Sequence, residues 1–161
     1  MMFSTQIEKI RTKKGIGLLE LMLALAIIAI LIIMATRYYQ SASRSQKVAD
    51  AVTQVNAIIS AAGNWKIGKP GFTGINIQQL SDQGLLPKEM GTGTTTGTGV
   101  NPWGGDIVVA AVDASKFTVS FTGVDDLDCT ALKSRFEKSS NLTVSGGGGA
   151  DCVFTYAEKS A

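Results

Sequence analysis

Few side chains in this sequence could do chemistry. Its 161 residues include no histidine and only two cysteines, Cys129 and Cys152. There is no nucleophile elbow, and no glycine-rich stretch has the GxxxxGK[ST] or GxGxxG frame that binds phosphate between a strand and a helix. Two thiols without a histidine are too few for a zinc site. We therefore expect no enzyme activity, no metal site and no cofactor.

The most unusual side chain is Glu20, which lies near the start of a long apolar run. From Ile16 to Thr36 there are 21 residues, and Glu20 is the only charged one. About 20 consecutive apolar residues form a helix that crosses a bilayer. An ionisable group inside such a segment is costly and is a functional-site candidate. The run predicts a membrane-spanning segment over residues 16–36 with Glu20 as its functional acid.

The charges are distributed unevenly around this run. The chain has a net charge of +2, and residues 1–15 hold four basic residues against one acidic residue. The chain after Gly15 holds 11 basic and 12 acidic residues. Basic residues before an apolar segment orient that end toward the cytoplasm, so we expect the C-terminal part outside. No basic patch is left to bind nucleic acid.

The boundary between the basic leader and the apolar run has a specific pattern. Gly15 ends the leader, Ile16 follows it, and Glu20 is the fifth residue counted from Ile16. This pattern resembles the class III signal of type IV prepilins and pseudopilins. The resemblance implies cleavage between Gly15 and Ile16, methylation of the new amine of Ile16, and an assembly role for Glu20. Many family members carry a helix-kinking proline where this chain has Arg37, so their kink is not expected here.

The resemblance also implies two successive locations. The precursor would lie in the bacterial inner membrane with a cytoplasmic N-terminus, and the processed chain would polymerise into an extracellular pilus on the cell surface. Its implied partners are membrane lipid, the prepilin peptidase and N-methyltransferase, the inner-membrane assembly machinery, and other copies of itself. In the family, the acid pairs with the terminal amine of a neighbouring subunit.

Two other interpretations of residues 1–43 stay open. An ordinary secretory signal peptide could use Ser41-Ala42-Ser43 as its cleavage site, but its apolar region usually has about 7–15 residues. A plain single-span anchor without processing also fits the apolar run. Only the prepilin interpretation explains Gly15 and Glu20 together.

The helix is predicted to continue beyond the membrane segment. No proline or glycine occurs between Arg37 and Ala62. The residues with the spacing of one helical face are Val48, Val52, Val55, Ile59 and Ala62. The pattern predicts one helix from about Gly17 to Ala62, on the order of 70 Å long, with Gly63 as a stop signal and an apolar stripe that packs on the rest of the chain.

The remainder is predicted to be a small α+β domain. A short helix lies within 75–86 with Asn76 as its N-cap, and the low-complexity run 91–99 is an exposed loop. Strands are predicted over 106–112, 116–122, 142–145 and 152–156, with a second amphipathic helix over 127–138. Three or four antiparallel strands over a long helix form one core, and the resemblance implies that this is the pilin fold. The Asn101-Pro102-Trp103-Gly104-Gly105 turn before a hairpin, with two late cysteines, resembles type IVb pilins.

The two cysteines allow two interpretations. Outside the cytoplasmic membrane a disulfide between Cys129 and Cys152 would persist, and it would close a loop of about 24 residues for roughly 3–4 kcal/mol. Otherwise they are two free buried thiols. In the family, a segment bounded by a disulfide is exposed on the filament, which would be residues 129–152 here.

Three acids precede the second helix, at Asp125, Asp126 and Asp128. Asp favours the N-cap and the positive end of the helix dipole, so we expect a cap and a solvated turn. Some pseudopilins of type II secretion hold calcium with clustered acids, which is the alternative.

Taken together, residues 1–15 are predicted to be a cleaved leader, 16–36 a transmembrane and assembly segment, and 37–161 an external domain. The predicted function is that of a structural subunit of a type IV pilus, which would support adhesion, aggregation, motility, conjugation or DNA uptake. The alternatives are a pseudopilin of a type II secretion system and a single-span membrane-anchored binding protein.

Overall fold

The structure is a computed structural model that describes residues 17–87, 90, 99–147 and 150–159. Its elements, in order, are α1 (Leu18–Trp65), α2 (Ile77–Asp82), β1 (Gly99–Val100), β2 (Asp106–Asp113), β3 (Lys116–Phe121), α3 (Asp126–Phe136), β4 (Leu142–Gly147) and β5 (Ala150–Ala157). The residues from Ala42 onward form one compact unit. The loop predicted over 91–99 lies outside the described residues except for Gly99.

Helix α1 confirms the predicted long helix and extends it by three residues. It spans 48 residues, and no helix-breaking residue interrupts it between Leu18 and Ala62. The predicted stop at Gly63 was wrong, because Gly63 lies inside the last turn. The turn continues because Trp65 is buried in the core, and burial of a large aromatic side chain outweighs the cost of one helical glycine.

The buried stripe of α1 differs in part from the predicted one. Val48, Val55 and Ala62 are buried as expected, whereas Val52 and Ile59 are only half-buried. Ala51 and Ile58 take the central positions and are fully buried. The buried stripe is therefore centred one residue earlier than predicted.

The five strands form one antiparallel sheet in the order β1-β2-β3-β5-β4. Both predicted hairpins are present, β2 with β3 and β4 with β5, and β3 pairs with β5 between them. The expectation of three or four strands was wrong by one, because Gly99 and Val100 pair with Ile107 and Asp106 as the short strand β1.

The helices pack on one face of the sheet. Phe117, Phe121 and Phe154 point into this layer and are fully buried. The Phe154 ring lies 5.2 Å from the Phe121 ring and 5.6 Å from the Phe136 ring of α3. Edge-to-face aromatic contacts of this kind stabilise the core beyond area burial alone. The result is a two-layer α+β domain with its core between helices and sheet.

The segment between α1 and α2 is tied to the β2–β3 turn. Phe72 is buried, its N–H donates to Ala114 O at 3.0 Å, and its ring lies 4.9 Å from Phe117. The next helix begins as predicted, because the Asn76 side chain accepts from Gln79 N at 2.8 Å. It ends at Asp82, with Gln83 as its C-cap, and Gly84 follows with a positive φ of 67°.

Candidate functional site

The first half of α1 presents an apolar surface along its whole length. All of its described residues up to Ala42 are exposed, with Leu19 at 83% and Ile30 at 55%. The helix is long enough and apolar enough to cross a membrane by length and composition. An apolar surface this extensive is not stable in water and must be covered by lipid or protein.

Glu20 lies in the first turn of α1. Leu21 N donates to Gly17 O at 3.0 Å, so the helical hydrogen bonds begin at Gly17. An acid in the first turn interacts favourably with the positive end of the helix dipole. The structure therefore places Glu20 at the helix start. The predicted cleavage residues Gly15 and Ile16 lie outside the described residues, and their roles stay predictions.

The two cysteines form a disulfide, which confirms the predicted pair over the free thiols. Cys129 and Cys152 are joined with their Cα atoms 5.7 Å apart, and both side chains are buried. Cys152 lies opposite Phe121 in the β3–β5 register. The bond thus connects α3 to β5, which lies between β3 and β4 in the sheet.

The turn from Asn101 to Gly105 is organised by one buried amide. The Asn101 side chain donates to Thr122 O at 2.7 Å and to Asp106 O at 3.3 Å. Its carbonyl oxygen accepts from Trp103 N at 2.9 Å and from Gly105 N at 3.0 Å. All four bonding positions of this amide are used, as a buried amide requires. The predicted turn is confirmed, and it holds Trp103 in place.

Trp103 contacts a buried carboxylate that also pairs with a partly exposed arginine. Trp103 Nε1 donates to Asp128 Oδ2 at 2.8 Å, and Arg44 Nε lies 3.0 Å from Asp128 Oδ1. Asp128 is only 3% exposed. A buried carboxylate needs a charged partner and hydrogen bonds to offset its desolvation. Asp128 therefore joins α1, the turn and α3.

The expectation of a solvated acidic turn is thus wrong for Asp128. Asp125 is the N-cap residue of α3 by backbone conformation, but its side chain makes no capping hydrogen bond to the described backbone. Its carboxylate lies 3.8 Å from Arg44 instead. Within the described residues, no group of three or more His, Cys, Asp or Glu side chains could hold a metal ion.

A helical-face analysis could have identified Asp128 from the sequence. Asp128, Leu132 and Phe136 recur at intervals of four residues and therefore lie on one face of α3. The two apolar residues of this face are buried. An acid on an apolar face indicates a buried partner. That partner, Arg44, is 84 residues away in the sequence. It could be identified only from the folded structure.

Models of two known families together match most of the chain. A family model described as bundlin matches residues 40–155. A second, described as the prokaryotic N-terminal methylation motif, matches residues 10–36. The methylation-motif match ends at Thr36 and the bundlin match begins at Gln40, close to Ala42, where the compact unit begins. No solved structure matches the chain.

Two curated relatives are similar over much of the sequence. Both are named major structural subunit of bundle-forming pilus, one from Escherichia coli O127:H6 (strain E2348/69 / EPEC) and one from Escherichia coli O111:H-. Each is 30% identical over 132 residues, which cover 78% of this chain and 68% of the relative. With the bundlin match, this similarity shows that the chain belongs to the bundlin family of type IV pilins.

Proposed function

We propose that this chain is the structural subunit of a type IV pilus and polymerises through the apolar half of α1. The observation that carries the proposal is one continuous helix with two different surroundings. Its first half is exposed and apolar, and its second half is buried in a bundlin-type domain. Residues 1–15 would be the leader, 16–36 the membrane and assembly segment, and 37–161 the external domain.

The apolar segment has two ways to avoid water. In the inner membrane, lipid covers the exposed residues from Leu18 to Ala35, and this state stores subunits before assembly. In a filament, the same residues of many copies pack against one another. Apolar contact with lipid is then exchanged for apolar contact with protein, so the transfer needs no large exposure to water.

Cleavage after Gly15 prepares the segment for this exchange. The leader carries a net charge of +3 from four basic residues and one acid, and such charges are too costly to enter an apolar bundle. Removal of the leader by a prepilin peptidase also creates the α-amine of Ile16. The match to the N-terminal methylation motif supports this processing step.

Glu20 would bind that amine in a neighbouring subunit. The carboxylate is the only charge between Ile16 and Thr36, so in the filament it would lie in a low-dielectric environment. Charge attraction there is several times stronger than in water, and an unpaired carboxylate is strongly disfavoured. Only one axial position of the incoming subunit would satisfy both charges, so Glu20 would set the register.

The external domain would be presented on the filament surface, outside the cell. The disulfide between Cys129 and Cys152 is consistent with that location. The relatives are named for a bundle-forming pilus, and we extend that property to this chain as lateral association of its filaments. Export and polymerisation would need inner-membrane assembly machinery.

The variant Glu20→Ala tests the assembly mechanism in cells that express the chain with a type IV pilus machinery. Removal of the carboxylate should leave insertion and leader removal intact, because the segment becomes more apolar. The amount of subunit sheared from the cell surface should fall by about tenfold or more, since loss of a buried charge partner costs several kcal/mol. Immunoblots of sheared and membrane fractions measure both.

The control is Thr36→Ala, a substitution in the same segment. The Thr36 hydroxyl only donates to Ile32 O in its own helix, so this variant should assemble like the wild type. Wild-type amounts of sheared Glu20→Ala subunit would show that the acid has no assembly role.

A further inference from the structure

The face of the sheet opposite the helices carries no charge in its central part. One row across four strands consists of Val108, Ser120, Val153 and Ser145. The adjacent row consists of Ala110, Thr118, Thr155 and Thr143. We call these two rows the outer sheet face. Side chains alternate between the faces of a strand, and the buried neighbours Val109, Val119 and Phe154 point to the helices instead.

The outer sheet face is open to solvent in the described part of the chain. Val108, Ala110, Thr143 and Ser145 are exposed, and the four residues on the two central strands are half-buried by their neighbours. Helix α3 lies on the other side of the sheet, against Cys152 and Phe154, and the buried residues of α1 belong to the same core as Phe117. Nothing in the described residues covers this face.

Two of its five hydroxyl groups are engaged with the sheet. Thr118 Oγ1 donates to Ala110 O at 3.3 Å, and Thr143 Oγ1 donates to Thr155 O at 3.5 Å. With these protons bound internally, Thr118 and Thr143 present their methyl groups. Removal of water from these two residues leaves no hydroxyl donor unsatisfied, which lowers the cost of covering their part of the face.

The chemistry of the face selects its partner. It has no positive charge for nucleic acid or anionic lipid, and none of its eight residues is an aromatic platform for a sugar or a base. A flat surface of methyl groups and small side chains fits another surface of the same kind. We propose that the outer sheet face binds the same face of a second copy of this chain, in a neighbouring filament. This inference rests on the proposed function.

Charged residues at the two ends of the face favour one orientation. Asp151 lies two residues before Val153 in β5, and Lys116 lies two residues before Thr118 in β3, at the opposite end. Lys116 is half-exposed and 3.9 Å from Asp113. Two faces that pack with their strands in opposite directions bring each acid toward the partner's lysine. Parallel packing would instead bring the two Asp151 side chains together.

The size of the face explains why this contact would appear only between filaments. Four strands and two rows of side chains cover on the order of 300 Å² per copy, from the spacings of a β-sheet. A stable pair of soluble proteins needs about 800 Å² per partner. One contact is therefore weak, whereas many contacts along two filaments add to a strong association.

The test introduces a charge at Ala110, in cells that assemble filaments from the full chain. Ala110→Lys and Ala110→Glu each place like charges on both facing surfaces. The matched controls are Ser134→Lys and Ser134→Glu on α3, which is exposed on the other side of the sheet. Total filament is measured by shearing, and bundles by low-speed sedimentation and electron microscopy.

We expect each Ala110 variant to form filaments in wild-type amounts while the bundled fraction falls about tenfold or more, because a small repulsion is repeated along the filament. A mixture of Ala110→Lys and Ala110→Glu filaments should form bundles again. The Ser134 variants should form bundles like the wild type.

Four results would overturn the inference. They are normal bundles in both Ala110 variants, no bundles in the Ser134 controls, no recovery in the mixture, or loss of the filaments themselves in the Ala110 variants alone. The last result would place the face inside the filament. Absence of filaments in the wild type would instead contradict the proposed function.

Discussion

Asp128 is the only charged residue that is buried in the described domain. It is buried, yet it contacts a guanidinium on α1 and an indole N–H from the Asn101–Gly105 turn. Such a pair adds little net stability compared with apolar packing, but loss of one partner is expensive. Asp128 therefore acts mainly to fix where α3 lies against the other two segments.

Replacement of Asp128 by Ala should destabilise the domain by about 2 kcal/mol, because Trp103 Nε1 loses its acceptor and Arg44 its partner. The Arg44 side chain is 46% exposed, and water can solvate it in part, so the effect should not reach the full cost of a buried charge. Thermal unfolding of the detergent-solubilised chain, followed by circular dichroism, measures the change.

The matched variant is Asp125→Ala. Its side chain is 76% exposed and 3.8 Å from Arg44, so its loss should change the free energy of unfolding by about 0.5 kcal/mol or less. Equal destabilisation by the two variants would contradict a special role for Asp128.

Among the helices and strands, the disulfide and the Asn101–Gly105 turn hold the C-terminal half together. The disulfide joins α3 to β5, and Asn101 joins the start of β2 to the end of β3. Both act at points where the chain changes direction. Their removal should lower stability without changing the order of strands.

Replacement of both cysteines by Ala should destabilise the domain by about 3–4 kcal/mol, through the entropy of the unfolded chain. The sequence separation of 23 residues sets this value. The wild type in reducing agent should show the same loss of thermal stability. Unchanged unfolding temperatures in both samples would contradict a stabilising role for the bond.

Two glycine substitutions should have opposite effects. A Cβ at Gly105 would lie 2.1 Å from Thr122 O, whereas a Cβ at Gly63 meets nothing within 4 Å. Gly105→Ala should therefore disrupt the turn and cost more than about 1 kcal/mol. Gly63→Ala, inside α1, should stabilise the chain by about 0.5–1 kcal/mol. Unfolding curves of the two variants that shift in the same direction would contradict these placements.

Most elements could be predicted from local patterns. The strict alternation of Phe117, Val119 and Phe121 fixes the face of β3, and Asn76 caps α2 as its residue type predicts. The end of α1 could not be predicted, because the burial of Trp65 depends on the folded core. Strand β1 was missed, because a pair of residues beside a glycine-rich run has no periodicity.

The contacts of the site were harder to predict than its elements. Cys129 and Cys152 form the only possible cysteine pair in the sequence, so the disulfide followed once the location was inferred. Arg44 and Asp128 are distant in sequence, and no local pattern pairs them. The half-buried state of Val52 and Ile59 has the same origin, since the facing surface selects among adjacent residues of an apolar stripe.

For the whole molecule, one helix serves two environments. The second half of α1 completes the core of the domain from Ala42 onward, and the first half leaves its apolar side chains exposed. The single chain is therefore stable only with lipid or other copies around the first half.

The most direct test is mass spectrometry of the N-terminal peptide of subunits sheared from the cell surface. The account predicts a peptide that begins at Ile16 with one additional methyl group on its amine. A chain that begins at Arg44, after the Ser41-Ala42-Ser43 site, would show conventional secretion and contradict the account. An intact leader on surface filaments would also contradict it, because the Ile16 amine that we propose as the partner of Glu20 would never form.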